Sequence, residues 1–331
     1  MRVSKYNKDI GKTMEEDRKS RIVEKLPLKR GAGLELGPLS RPTVSRSESN
    51  IYYADHMSLR GLKKKYKHTH IVLEDIAPVD FIIKGKSLAA DVKGKKFDYV
   101  IASHVIEHIP DTISWLKDVA QILKPGGILS LVIPDKRYTF DITRDLSKPA
   151  DILGAYFDKN KRFTSRDIYD FLTNARADVI PGQVFNNPTA PVTNKPIYNE
   201  KLIHDLVKRN ATGKEYIDCH CFVFSPASFF AIFRELINWD LLDYEIVGFH
   251  DTAPNDMEFF VSLKKSTKTK AQKLRSIPKL PAPLTEPDLQ RQILVLENKL
   301  NEVYGSNSWR ITRPMRGVVG KIKRQRLKLS R

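Results

Sequence analysis

An α/β fold, a mostly parallel sheet with helices on both faces, is what this sequence predicts, and three observations predict it. Short runs rich in β-branched and aromatic residues ("AGLELGPL", "NIYYAD", "VDFIIKG", "KFDYVIAS", "ILSLVIPD") recur along the first half of the chain with helical segments among them. "KFDYVIAS" is apolar on both faces, as an interior parallel strand must be. The runs also end in polar residues, Glu35 and Gly37, Asp55, Ser103 and His104, and Asp135. In such sheets ligands bind beyond the carboxyl ends of the strands.

Each element has its own justification. Residues 1–30 are charged and form an N-terminal extension, in which "SRIVEKL" has the pattern of a short helix packed on the core. "SLRGLKKKYK", Ser58 to Lys67, fits a helix after the second strand. "TISWLKDVAQILKPGG" places Ile113, Leu116, Val119, Ala120 and Leu123 at helical spacing, with Pro125-Gly126-Gly127 as the stop. Pro149 to Asn210 reads as helices alternating with the Pro- and Asn-rich "VIPGQVFNNPTAPVTNKP", a lid or variable cover. "YIDCHCFVF" and "DLLDYEIVGFHDTAPNDMEFFVSLKK" read as the closing strands. The main domain is thus 31–264, with an acceptor-site insertion at about 140–215, followed by a basic Pro-containing linker at 265–286. Leu289, Ile293, Leu296, Leu300 and Val303 give a short heptad helix at 287–304, and 305–331 is a basic amphipathic tail.

The totals exclude several classes. A chain of 331 residues, 41% of them hydrophobic, buries a full core. Its two cysteines, Cys219 and Cys221, are too close for an ordinary disulfide and lack the second pair of a structural zinc site, which points to a reducing, cytoplasmic setting. The polar N-terminus predicts neither a signal peptide nor a membrane span. Net charge is +18, and from Lys264 onward 18 Lys or Arg stand against 4 Asp or Glu, a balance of +14 that leaves +4 for the rest. A basic tail on a near-neutral body suits tethering to an anionic surface better than nucleic-acid binding.

Counting strand ends gives nucleoside-binding geometry. Gly37, just after a strand, lets backbone approach a ligand, and Asp55, ending the next strand, is placed to accept from a pair of ribose hydroxyls. At "LELGPLSRP", "IYYAD", "FDYVIASHVIEHIPD" and "LKPGGILSLVIPD" the sequence resembles the class I S-adenosylmethionine-dependent methyltransferases. The resemblance implies a Rossmann-like, mostly parallel seven-stranded sheet and S-adenosyl-L-methionine as cofactor. "PDKRYTFD", the segment from Asp218 to Phe229 and "EFFVSL" are most similar to bacterial methyltransferase-domain proteins associated with surface-glycan synthesis. By resemblance Glu35 and Gly37 flank the methionine part of the cofactor, Asp55 binds the ribose, and Ser103 with His104 faces the sulfonium. Two departures stand out: the first loop has one glycine followed by Pro38, and the third strand ends in "IIKGKSL", placing Lys84, Lys86 or Ser87 near the adenine.

His104, Glu107 and His108 share one face if a helical turn follows Ser103. A histidine beside a carboxylate suits removal of a hydroxyl proton during methyl transfer. "HxxEH" also resembles the "ExxEH" metal cluster of 2′-O-methyltransferases of small RNAs and of some quinone-pathway O-methyltransferases, which makes the three candidate ligands of a divalent ion. The base role is favoured over the metal, because His104 replaces a carboxylate of that pattern. Asp135 is a further catalytic candidate, and Lys136, Arg137, Tyr138 and His220 are candidates for acceptor binding.

The leading expectation is an O-methyltransferase acting on a sugar hydroxyl of a surface or lipid-linked glycan, peripheral on the inner face of the plasma membrane. The tail segment "SWRITRPMR" resembles tails of bacterial polysaccharide-assembly enzymes, and its mix of Trp, aliphatic and basic residues suits an anionic membrane surface. The heptad helix would serve self-association or a glycosyltransferase partner. The alternatives are a metal-dependent RNA ribose 2′-O-methyltransferase, although the basic residues lie far from the catalytic edge, and a catalytically weak binding protein with this fold.

Overall fold

The computed structural model describes residues 15–280, apart from 70, 86, 178, 181–183, 186–195 and 214–215, and then residues 286–306 and 309. Seven strands form one sheet: β1 (Ala32–Leu36), β2 (Asn50–Asp55), β3 (Phe81–Ile82), β4 (Phe97–Ser103), β5 (Leu123–Pro134), β6 (Tyr244–His250) and β7 (Glu258–Lys265). Their order is β3-β2-β1-β4-β5-β7-β6. β7 runs antiparallel to both neighbours, β5 and β6, while the pairings of β1 to β5 are parallel. The order turns back between β1 and β4, which puts the crevice for a ligand above the ends of β1, β2 and β4. The Rossmann-like seven-stranded expectation is met.

The alternation within β4 explains its central place. Val100 and Ala102 pack into the larger core with Ile113, Leu116 and Val119 of α4 (Thr112–Ile122), and Tyr99 and Ile101 pack on the other face with Ile22, Tyr53 and Phe260. Gly33 of β1 is required by that second face, because a Cβ there would lie 2.1 Å from Cζ of the buried Tyr99 ring. The helix at residues 15–23, α1, covers this face. Ile22 is fully buried, its carbonyl accepts from Ser130 Oγ at 2.8 Å, and the Arg21 guanidinium lies 4.7 Å from the centre of the Phe260 ring. The described part of the N-terminal extension therefore packs on the core through Arg21 and Ile22.

α2 (Leu59–Tyr66) and α3 (Leu88–Asp91) follow β2 and β3. α4 is capped by Asp111, whose side chain accepts from Ser114 N at 3.0 Å. It stops at Ile122, before the expected Pro-Gly-Gly terminator, because β5 begins at once. Leu123 pairs with Phe97 and Ile128 with Tyr99, so residues 124–127 bulge opposite Asp98, and Lys124 Nζ bonds Asp98 Oδ2 at 2.8 Å. After β5 come α5 (Pro149–Phe157), α6 (Ser165–Asn174), α7 (Glu200–Ala211) and α8 (Pro226–Asn238).

Two expectations are corrected. "YIDCHCFVF" forms no strand: it is extended and has one isolated bridge, Phe224 to Asp135. Both edges of β5 are already taken, by β4 and β7, so this segment bonds instead to loops, with Cys221 N donating to Glu107 O at 2.9 Å and Ser147 N to Val223 O at 2.9 Å. The linker expected at 265–286 is folded in its first part. α9 (Lys270–Arg275) buries Lys273, which bonds Asp243 Oδ1 at 2.8 Å and the Leu242 carbonyl, and Ile277 enters the core.

The chain divides into two units, Met1–Leu280 and Pro281–Arg331. In the second, α10 spans Glu286–Gly305, and Ile293, Leu296, Leu300 and Val303 are exposed along it. The basic tail beyond residue 309 and Lys86 lie outside the described residues, as does most of the Pro- and Asn-rich loop.

Candidate active site

Above the ends of β1, β2 and β4 lies a cleft of about 1130 Å³. Leu36, Gly37 and Asp55 form one wall, Ile83, Ser87 and Leu88 another, and Trp115 of α4 with Tyr156 and Phe157 of α5 close it. Gly37 sits at φ +64°, with open space on the side where a Cβ would stand, so bare backbone faces the cleft. Leu39 is also left-handed, at φ 46°, the strain of turning a loop with only one glycine. Glu35 explains how that loop is held. Its carboxylate is buried beneath the loop and accepts from Thr43 N at 2.8 and 3.1 Å and from Val44 N at 3.5 Å. Burial raises its pKa against those bonds. Glu35, expected to flank the cofactor, is a brace for the loop and does not line the cleft.

Asp55 is buried at the end of β2, and His56 Nδ1 lies 2.5 Å from its Oδ1, which also accepts from His56 N at 2.7 Å. Ser87 lines the cleft, and Asp91, which sequence reasoning passed over, also lines it and accepts from Lys84 N at 2.8 Å. Burial chiefly, with the charges of Asp111 and Asp91, raises the pKa of Asp118 on the same wall.

Ser103 turns away from the cleft and accepts from Arg18 Nη2 at 2.9 Å. His104 follows at φ 53°, and its Nε2 lies 2.6 Å from Glu258 Oε2, while Arg18 Nε bonds the other oxygen of Glu258 at 2.5 Å. Burial works to lower the His104 pKa, but the Glu258 bond and the Glu107 and Glu258 charges overcome it and raise the pKa. The turn at Ile106–His108 is a 3-10 helix that buries Glu107 completely. His104 Nδ1 lies 3.6 Å and His108 Nε2 3.9 Å from Glu107 Oε1. His108 Nδ1 pairs with Asp218 Oδ1 at 2.9 Å, and His108 packs edge-on against His220, ring centres 4.7 Å apart. His220 Nδ1 lies 2.6 Å from Asp141 Oδ2, and Arg144 bonds Asp141 Oδ1 at 2.8 Å.

The four residues His104, Glu107, His108 and His220 are thus brought together. The Asp135 group is not free for chemistry in the same way. Asp135 is fully buried, accepting from Arg137 N, Nε and Nη2 at 2.6 to 3.0 Å and from Thr252 Oγ1 at 2.7 Å. Arg137 also reaches Asp251 at 3.2 Å, and Lys136 donates to the carbonyls of Ile142 and Arg144. These cations, expected to bind an acceptor, are engaged in shaping the loop after β5, while Tyr138 packs at a tilt against Phe185 with ring centres 5.1 Å apart.

The family model for the methyltransferase domain matches residues 39–180. That match covers a little under half of the chain, and the segment is similar to methyltransferase domains. The chain is also similar to two ubiquinone biosynthesis O-methyltransferases. That of Parvibaculum lavamentivorans is 32% identical over 105 residues, 30% of this chain and 35% of that protein. That of Roseobacter denitrificans is 28% identical over 167 residues, 47% of this chain and 61% of that protein. The chain thus spans less than two thirds of the length of these curated relatives. Among solved structures, a SAM-dependent methyltransferase from Methanosarcina mazei aligns with 75% of this chain and 98% of its own at 16% identity and a TM-score of 0.37.

Arg18, His56, Asp91, Asp141, Asp218 and Glu258 were missed by sequence reasoning. Of these, Asp141, Asp218 and Glu258 left a signal, as acidic residues within the quoted segments that resemble glycan-associated proteins.

Proposed function

We propose that the protein is an S-adenosylmethionine-dependent O-methyltransferase. The observation that carries this reading is the cleft itself, where the bare backbone of Gly37 and the carboxylate of Asp55 meet at the reversal of strand order. Both His56 contacts fall on Asp55 Oδ1, so Oδ2 is the oxygen a ribose hydroxyl pair would meet. Trp115, Ile83 and Leu88 give the apolar surfaces that an adenine ring requires, and Asp91 supplies the carboxylate that the third strand lacks.

Cofactor supplies an activated methyl group. The protein's own part is to orient the acceptor and take its proton. His108, with Nδ1 held by Asp218, stands next to Val105 and Ile109, which line the cleft, and is the group best placed to govern that proton. The acceptor we infer is a sugar hydroxyl of a surface or lipid-linked glycan, supported by the sequence resemblance of "PDKRYTFD" and the tail, with the basic tail holding the enzyme at an anionic membrane face. A phenolic hydroxyl is the second reading, favoured by the names of the two relatives. Among the described residues no helix is long and apolar enough to cross a membrane.

The test is calorimetry with S-adenosylmethionine, followed by methyl transfer from labelled cofactor to glycan, phenolic and RNA acceptors. Saturable cofactor binding and labelling of a glycan are expected. Failure to bind cofactor would leave a binding protein with this fold.

A further inference from the structure

We propose that Glu107, His108 and His220 form a divalent-metal site. One ligand atom from each lies within 4.8 Å of the others. Glu107 is 0% exposed, and neither carboxylate oxygen has a hydrogen-bond partner among the described residues. An ionised carboxylate withdrawn from water is destabilising by several kcal/mol unless a cation or donors meet it. The nearest ring nitrogens, at 3.6 and 3.9 Å, are too far to bond it. A metal ion among these atoms satisfies the carboxylate.

The two imidazoles are prepared in the same manner. Asp218 takes Nδ1 of His108 and Asp141 takes Nδ1 of His220, which assigns the proton to Nδ1 and leaves each Nε2 as a lone pair. Carboxylates behind ligating histidines fix the tautomer and aim the ring in this way, and Arg144 in turn fixes Asp141. His104, a ligand candidate on sequence grounds, lies outside the group whose ligand atoms fall within 4.8 Å of one another, and His220, 112 positions beyond His108, takes its place. Two nitrogens and one oxygen favour Zn²⁺, Fe²⁺, Mn²⁺ or Co²⁺ over Mg²⁺. Three protein ligands leave a further coordination position. The His108 side chain is 28% exposed, so the site meets solvent there. The inference rests on these side chains alone. Where the methyl-transfer reading holds, His108 would govern the acceptor proton through the ion, which would polarise the acceptor hydroxyl, and not as a free base. Val105 and Ile109, the sequence neighbours of these ligands, line the cleft.

The experiment strips the purified full-length chain with chelator, dialyses it against Zn²⁺, Mn²⁺, Fe²⁺ or Co²⁺ and measures bound metal by elemental analysis, with the Co²⁺ absorption spectrum reporting nitrogen ligation. About one equivalent of at least one metal is expected in the wild type. Glu107→Gln and His220→Ala should each weaken binding at least tenfold. Asp218→Asn, at a side chain 58% exposed, keeps the fold and should weaken it roughly ten- to a hundredfold. Retention of no metal by the wild type, or wild-type affinity in the folded variants, overturns the proposal. Cofactor calorimetry on the same samples separates the two readings: a wild-type chain that takes up no metal yet binds cofactor sinks only this one, and a wild-type chain that takes up metal yet binds no cofactor sinks only methyl transfer.

Discussion

His104 Nε2 and Glu258 Oε2 lie 2.6 Å apart across 154 residues, joining the turn after β4 to the first residue of the antiparallel strand β7. Arg18 of α1 binds the same carboxylate, so three segments meet on one buried acid. Removing it should be costly, because it strands two cations. Glu258→Ala is expected to destabilise the fold by about 3 to 5 kcal/mol, whereas Arg18→Ala, at a half-exposed end of the pair, should cost only about 1. Urea denaturation of the two variants checks this, and equal losses would contradict the arrangement.

Asp55→Ala should weaken S-adenosylmethionine binding about ten- to a hundredfold, the loss of a charge-assisted contact worth roughly 1.5 to 3 kcal/mol. Gly37→Val should also weaken it, since valine at φ +64° is strained and its side chain would enter the space the cofactor's backbone contacts need. Calorimetry on folded variants decides, and unchanged affinity in both would remove the cofactor assignment from this cleft.

At Gly33 the expected effect is on stability alone. Alanine there places Cβ 2.1 Å from a ring that is fully buried and anchored by the Tyr99 hydroxyl to Ser49 at 2.7 Å. Overpacking of this kind costs about 1 to 3 kcal/mol or more. The double change Gly33→Ala, Tyr99→Leu should recover part of the lost melting temperature, and no recovery would mean that the clash is not with the ring.

His108→Ala should lower turnover roughly 10²- to 10⁴-fold with cofactor affinity unchanged, because His108 is not on the cofactor wall. Steady-state rates on the true acceptor, with cofactor saturating, are the measurement. Near wild-type turnover would confine the histidines to a structural role.

Deleting residues 310–331 should abolish sedimentation with anionic vesicles while leaving methylation of a short soluble acceptor intact. Each basic residue near such a surface contributes about 1 kcal/mol, less as salt rises. Equal vesicle binding with and without the tail at low salt would exclude the tether.

The sequence by itself determined the sheet and its ligand edge. Strand and helix periods are local, so "KFDYVIAS", "NIYYAD" and the α4 repeat announce which face is buried, and the residue after each strand announces the edge, which is why Gly37, Asp55 and Ser87 all line the cleft. Periodicity misled at "YIDCHCFVF", whose alternation suits a strand, because whether a ladder forms depends on a free edge and β7 had already paired with β5. What only the tertiary structure decided is how charges pair. Glu107 meets His220 and His108 meets Asp218 over more than a hundred residues, and Lys136 and Arg137 turn inward to carbonyls and to Asp135. Such partners leave no period in the chain, since a buried charge must be met by whichever segment the packing brings to it.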